Sequence, residues 1–433
     1  MTEVAVILIV LLAVILGAGI WIGLALMATG GIALMIFRSM PVEALLGQIV
    51  WNTVTLSELV SLPLFVLMAE ILFRTKLAAS MFDGLAPWTS RLPGRLLHIN
   101  VLACTLFAAV SGSSAATAAT VGRITLEELE KRGYDRKLSI GSLAGAGTLG
   151  FLIPPSIVMI VYGVLSNTSI LKLFIAGVLP GLMLAMLFIG WIMLRAKLDP
   201  SVAPLAEGRV GWRERFRSLP KLLPVLLLIG AIIGSMYAGW ASPNEAAIIG
   251  VLGSLIIAAT QRTLTRRHFF DALMGTTMIT CMIGLILAGA AFLSSAVGFL
   301  GIANQVAAGI NGLGLGKFGL VLLLLLIYGI LGCFLDGISC IVMTIPITLP
   351  LITAAGFDPI WFGIFLVVTV EMAQVTPPVG FNLYVLQGLS GESMGTVAKA
   401  ALPFFFIMVV FAILLAVFPG LVMWVPNNIT LRG

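Results

Sequence analysis

Long apolar runs, nearly free of charge, fill this sequence from Val4 to Val425. A helix that crosses lipid needs ~20 such residues, and in lipid every backbone polar group must be satisfied within the chain. The runs therefore dictate a bundle of membrane helices. Of the 433 residues, 60% are hydrophobic and only 10% charged. A soluble domain carries roughly 25% charged residues, so this chain cannot cover itself with a polar surface. The loops are short, which points to one all-α polytopic membrane domain rather than a soluble domain with an anchor. The first run, Val4 to Phe37, follows Glu3 and no basic residue, unlike a cleavable leader. It reads as two short spans turning near Gly17–Gly19 or as one long tilted helix.

Lys and Arg set the orientation. Loops 74–96, 123–137, 195–221, 261–268 and 386–399 hold 20 of the 24 basic residues, leaving Arg38, Lys172, Lys317 and Arg432 for the other side. By the positive-inside rule the basic loops face the cytoplasm. The net charge of +6 is thus spent on membrane orientation and not on a nucleic-acid surface. The apolar segment 96–121 has basic clusters at both ends, Arg91 and Arg95 before it and Arg123 to Lys137 after it. A helical hairpin entering and leaving from the cytoplasm satisfies the rule; a single span does not. The segment 318–353 has almost no basic residues at either end and reads as a hairpin entering from outside.

The two halves match weakly at an offset of about 223 to 225 residues: Pro154-Pro155 returns as Pro377-Pro378, and Gly112 returns as Gly337. The expected organisation is a first repeat over 1–194, a cytoplasmic connector over 195–221 and a second repeat over 222–433. Each repeat carries a hairpin (96–121; 318–353) and a helix broken at Pro-Pro (138–166; 359–385). Opposite hairpin orientation makes the repeats inverted, an arrangement used by secondary transporters, whose binding sites lie at discontinuous helices near the bilayer midplane. The connector contains Pro200, Pro204, Gly208, Gly211, Trp212 and seven basic residues, and reads as a solvated linker or an amphipathic interfacial helix.

Four motifs carry the chemistry. Ser111-Gly112-Ser113-Ser114-Ala115-Ala116-Thr117 lies at the first hairpin tip, where hydroxyls and free carbonyls suit a small hard cation and small residues equally suit close helix packing. Gly145 to Ser156 holds three glycines and Pro154-Pro155, residues that break a helix. A break exposes carbonyls on one side and N–H groups on the other, partners for a cation and a carboxylate respectively. Glu371 to Asn382 is the second copy of that break. Gly332 to Ser339 forms the second hairpin tip, where Asp336 either neutralises an ion or caps the following arm; the D-G-I-S pattern favours the cap. Glu70, Glu245 and Glu371 are expected near helix ends or the interface.

Other chemistries find no support. Cys104, Cys281, Cys333 and Cys340 all sit in apolar segments without a C-x-x-C pair, and His98 and His268 are the only histidines; the cysteines read as small buried hydrophobes. There is no G-x-x-x-x-G-K-[ST] and no H-E-x-x-H; the run Gly312 to Lys317 lacks the phosphate-loop spacing. The chain is not expected to be an enzyme.

Together the four motifs resemble the large membrane subunit of tripartite ATP-independent periplasmic (TRAP) transporters, the DctM-like family. The stretches carrying the likeness begin at Ser111, at Gly147-Thr148, at Thr376-Pro377 and at Ala241-Ser242-Pro243-Asn244-Glu245, and it covers nearly the whole chain. The resemblance implies Na⁺-coupled import of an organic acid, such as a C4-dicarboxylate or sialic acid, by an elevator movement in a bacterial inner membrane. It implies two partners, a small four-helix (DctQ-like) membrane subunit and a periplasmic (DctP-like) substrate-binding protein. It also implies two sodium sites, one from Ser111, Ser114, Gly150, Leu152 and Pro155, the other from Gly332, Ala373, Thr376 and Val379. Position 373 is often Gly in the family, which weakens the second assignment. Substrate is expected between them, near Ser156, Thr376 and Asn382. The rival reading is a stand-alone Na⁺/divalent-anion symporter of related fold. A channel should show a pore ring or filter, where mirrored hairpins favour alternating access.

Overall fold

A computed structural model describes residues 2–38, 40–204, 211–302 and 316–428. Within them the chain is helical throughout, without strands. Gly208, Arg209, Gly312 and Arg432 lie outside the described residues. Six described helices are long and apolar enough to cross a membrane, or eight counting two bent pairs. Large apolar side chains such as Val10, Met186, Leu227, Ile256 and Met278 stand exposed on the outside, as lipid requires. The N-terminal run is two helices, Thr2–Gly17 and Ile22–Phe37, turning at Gly19 with φ +77°.

Small residues let the two halves approach closely. Ile22–Phe37 lies along Arg266–Phe299, and a Cβ added to Gly289 would stand 2.4 Å from the Gly23 carbonyl oxygen. One added to Gly141 would meet the Ala400 carbonyl oxygen just as closely, on helix Met394–Val417. Helix–helix association in lipid rests on such packing rather than on a hydrophobic drive. The lower part of Trp212–Tyr237 packs along Leu77–Thr89, tied by Lys221 Nζ to Asp83 Oδ2 at 2.8 Å.

Helix Leu97–Ser111 turns at Gly112, φ +59°, and returns as Ser114–Lys131. The two arms pack together. The return arm passes Val121 by ten residues, because Thr125–Lys131 is a run of helix formers with Glu127–Lys131 and Glu128–Arg132 pairs four apart. Helix Lys317–Leu331 is followed after a short turn by Gly337–Ala354, and Tyr328 Oη donates to Thr344 Oγ1 at 2.7 Å. Asp336 caps the return arm, accepting from the N–H groups of Ile338 and Ser339, as the sequence pattern predicts. The expected connector is narrower than 195–221. Helix Ile170–Leu198 absorbs its start and Trp212–Tyr237 its end, since neither Arg195–Leu198 nor Trp212–Ser218 contains a helix breaker.

Hairpin topology has a direct check. In a cysteine-free background, cysteines at Ser90 and Lys137 are expected to label from one side of the membrane, and one at Thr353 from the other. Labelling of Ser90 and Lys137 from opposite sides would sink the first hairpin. Asn311 lies outside the described residues.

Candidate functional site

Each Pro-Pro motif interrupts a helix. The first break lies between Arg136–Gly147 with its short continuation Leu149–Leu152, and Ile157–Ser166, bent by 41°. The second separates Pro359–Gln374 from Phe381–Ser390. Both Pro-Pro bonds are cis. The glycines of the first motif do not make the break, contrary to expectation. The helix runs through Gly145 and Gly147, whose missing side chains admit Phe404 and Ala118. The chain leaves the helix only at Ile153–Ser156, where proline removes donors.

The first hairpin tip is pressed into the first break. A Cβ on Gly150 would stand 2.6 Å from the Ser113 carbonyl oxygen and 2.7 Å from Ser114 Cα. Ile157 N–H donates to the Gly112 carbonyl at 3.4 Å, and the Pro155 carbonyl lies beside Gly112. Ser111, Ser114, Gly150 and Pro155 are thus brought together. The Leu152 carbonyl points to Gly177 on helix Ile170–Leu198, where a Cβ would be 2.7 Å away. The Ser111 and Thr117 hydroxyls bond each other at 2.6 Å across the tip. Ser156 is fully buried and caps Ile157–Ser166 by accepting from Met159 N–H at 3.3 Å. Two downstream N–H groups of this break are therefore occupied by protein.

Gly332 and Ala373 are neighbours: a Cβ on Gly332 would lie 2.5 Å from Ala373 Cβ. Glycine at 332 thus makes room for alanine at 373. The Ala373 carbonyl accepts from Thr376 N–H at 3.1 Å, the Thr376 hydroxyl donates back to Met372 O at 3.0 Å, and Gly380 N–H donates to Cys333 O at 3.3 Å. The second tip is so stitched to the second break. Val379 is 42% exposed and Thr376 half-buried, whereas Gly332 and Ala373 are buried.

The two sets meet at a polar cluster inside the protein. Ser114 Oγ donates to Glu371 Oε2 at 2.9 Å and accepts from Asn382 Nδ2 at 2.6 Å. All three residues are at most 2% exposed. Glu371 Oε1 and Asn382 Oδ1 are buried without a hydrogen-bond partner. Phe151 of the first break packs on Gly337 of the second tip. Ser114 therefore addresses the other half of the chain through its hydroxyl and the first break through its backbone. Glu371 does sit in the last turn of its helix, as expected, yet that end is interior and not interfacial. The signal was present: an acidic residue inside the apolar run Phe365–Val375 with no basic residue in helical reach. Glu70 and Glu245 hold peripheral places, paired with Arg74 at 2.5 Å and closing a capping box with Ser242. Asn382 joins the cluster; Thr376 and Ser156 stand at opposite breaks.

The sequence model of the family described as "Tripartite ATP-independent periplasmic transporter, DctM component" matches residues 7–421. The C4-dicarboxylate TRAP transporter large permease protein DctM of Pseudomonas aeruginosa is 34% identical over 402 residues, covering 92% of this chain and 93% of that protein. The ectoine TRAP transporter large permease protein TeaC of Halomonas elongata is 30% identical over 413 residues, with 95% of each chain covered. The isethionate TRAP transporter permease protein DctMQ of Oleidesulfovibrio alaskensis is 28% identical, and the match covers 64% of its length. Among solved structures, the Alcanivorax borkumensis YdaH transporter superposes with TM-score 0.66 over 87% of each chain at 16% identity, a likeness of fold alone. With hairpin tips set against Pro-Pro breaks and a family match along nearly its whole length, this chain belongs to the DctM component family of TRAP transporters.

Proposed function

We propose that this chain is the large permease of a Na⁺-coupled TRAP transporter that imports an organic acid across a bacterial inner membrane. The observation that supports it best is the Ser114–Glu371–Asn382 cluster, which joins one hairpin tip to the opposite break. A joint of this kind lets both hairpins and both breaks travel as one body, the moving part of an elevator, while the close-packed helices Ile22–Phe37 and Arg266–Phe299 stay as scaffold. The two halves act as inverted repeats, as the charge count suggests.

Na⁺ is cargo here. Its first position uses Ser111 and Ser114 with the carbonyls of Gly150, Leu152 and Pro155; its second uses Gly332, Ala373, Thr376 and Val379. Hard oxygen donors without thiolate or imidazole fit an alkali ion. Substrate lies between, at Ser156, Thr376 and Asn382. Its class follows the names of the relatives, C4-dicarboxylates and ectoine among them. A periplasmic binding protein delivers it, and a small four-helix membrane subunit completes the scaffold; the DctMQ relative carries both letters in one chain's name.

Reconstitution tests this. The chain with its small subunit and binding protein, in liposomes, is expected to accumulate a labelled C4-dicarboxylate, ectoine or sialic acid only under an inward Na⁺ gradient. The chain alone is expected to give little uptake. Robust Na⁺-driven uptake by the chain alone would favour the stand-alone symporter.

A further inference from the structure

Helix Trp212–Tyr237 begins on the basic face of the protein with the sequence Trp-Arg-Glu-Arg-Phe-Arg. Its buried stripe, Arg215, Ser218 and Leu222, faces helix Leu77–Thr89. Ser218 Oγ donates to Gly84 O at 3.0 Å, and a Cβ on Gly84 would touch Leu222 at 2.6 Å. Leucine and serine suit that interface; an arginine does not. Yet Arg215 is only 6% exposed, and its Nε and Nη2 have no acceptor.

A second orphan donor lies on the facing helix Leu77–Thr89. Trp88 Nε1 is buried without a partner, and the Trp88 ring meets Phe216 edge-on at 6.2 Å. The guanidinium groups of Arg215 and Arg91 both lie over the Trp212 ring, at 5.1 and 5.7 Å. Two like charges thus share one indole, and no carboxylate pairs with either among the described residues. Buried donors without acceptors are costly. The set as a whole (two guanidinium groups, an indole N–H, and a helix N-terminus whose cap Gly211 offers no side chain) lacks an anion.

We propose that this corner binds the phosphate of an anionic phospholipid, with Arg91, Arg215 and Trp88 as its headgroup contacts. The apolar surroundings point to a lipid over a free anion. Trp212 and Phe216 are 57% and 60% exposed, and Leu223, Leu226 and Leu227 continue an exposed apolar strip further along the same helix. The headgroup sits among the basic residues while the acyl chains follow that strip. Lipid so held would fix the helix pair Leu77–Thr89 and Trp212–Tyr237 at the membrane surface.

The test uses the purified full chain in nanodiscs of phosphatidylglycerol or phosphatidylcholine, read by thermal unfolding and by lipid retention in native mass spectrometry. The wild type is expected to unfold at a higher temperature in phosphatidylglycerol and to retain it selectively. Arg91→Gln, an exposed position, is expected to lower that retention about fivefold. Arg215→Met decides the sign. In phosphatidylcholine it should equal or exceed the wild type, because an unpaired buried charge has gone; in phosphatidylglycerol it should fall below. Equal wild-type stability in both lipids overturns the proposal. So does a matching gain from inorganic phosphate in phosphatidylcholine, which would mark a soluble anion. Loss of stability by Arg215→Met to the same extent in both lipids would assign the arginine to protein packing or to a partner subunit instead.

Discussion

Replacing Gly150 by alanine is expected to cut uptake by the reconstituted complex about tenfold to a hundredfold, and valine to abolish it. The added Cβ would fall 2.6 Å from the Ser113 carbonyl oxygen and 2.7 Å from Ser114 Cα. All the close atoms are backbone, so no rotamer change relieves the clash. Hairpin tip and break must separate, and overpacking of this kind costs about 1–3 kcal/mol, where 1.4 kcal/mol is tenfold in an equilibrium. The separation also spoils the oxygen cage proposed for the first Na⁺, so the Na⁺ midpoint should rise along with the loss of rate. Gly230 and Gly234 supply the control. Each sits within helix Trp212–Tyr237 with nothing within 4 Å of an added Cβ, and alanine there should be neutral or stabilising by about 0.5–1 kcal/mol. Membrane abundance and unfolding temperature measured in parallel separate misfolding from a failed site. Gly150→Ala transporting like wild type at equal abundance would mean that the tip and the break need not touch.

The legibility of this chain from sequence was uneven, for physical reasons. Hydropathy and charge are summed over many residues, so the membrane class emerged without structure, as did the return of Leu97–Ser111 along Ser114–Lys131. The prolines and Asp336 act on their own backbone, within two or three residues, and so were readable one at a time. Glycine was harder. Gly145 and Gly147 looked like helix breakers, but they are places where Phe404 and Ala118 come close, and partners 259 and 29 residues away leave no mark on local sequence. Glu371 failed for the same reason. Its meaning depends on Ser114, 257 residues earlier, and sequence could rank it only by helix position. The ends of the connector shifted because helix propensity carries on through Arg195–Leu198 and resumes at Trp212, beyond the point where hydropathy stops.

Removing the Ser114 hydroxyl is expected to weaken the Na⁺ response about fivefold to a hundredfold and to lower the unfolding temperature. The hydroxyl donates to Glu371 and accepts from Asn382, and these two already carry one unpartnered oxygen each. Ser114→Ala leaves Glu371 Oε2 and Asn382 Nδ2 without their partner as well. A buried polar group deprived of its partner costs about 1–3 kcal/mol. The same change removes one oxygen from the proposed Na⁺ cage. Close packing alone predicts the opposite order of variants: alanine harmless, the larger threonine disruptive. Under the polar reading Ser114→Thr keeps the oxygen and should retain more Na⁺ dependence than alanine. A double-mutant cycle with Asn382→Ala sharpens the result. Residues in one hydrogen-bond network couple by about 0.5–3 kcal/mol, so the two losses should fall short of additive. Uptake against Na⁺ concentration gives the midpoint, and thermal unfolding gives the stability. An unchanged midpoint in folded, inserted Ser114→Ala would remove this hydroxyl from the ion site. Additive losses with Asn382→Ala would show that the contact between the two halves carries no energy of its own.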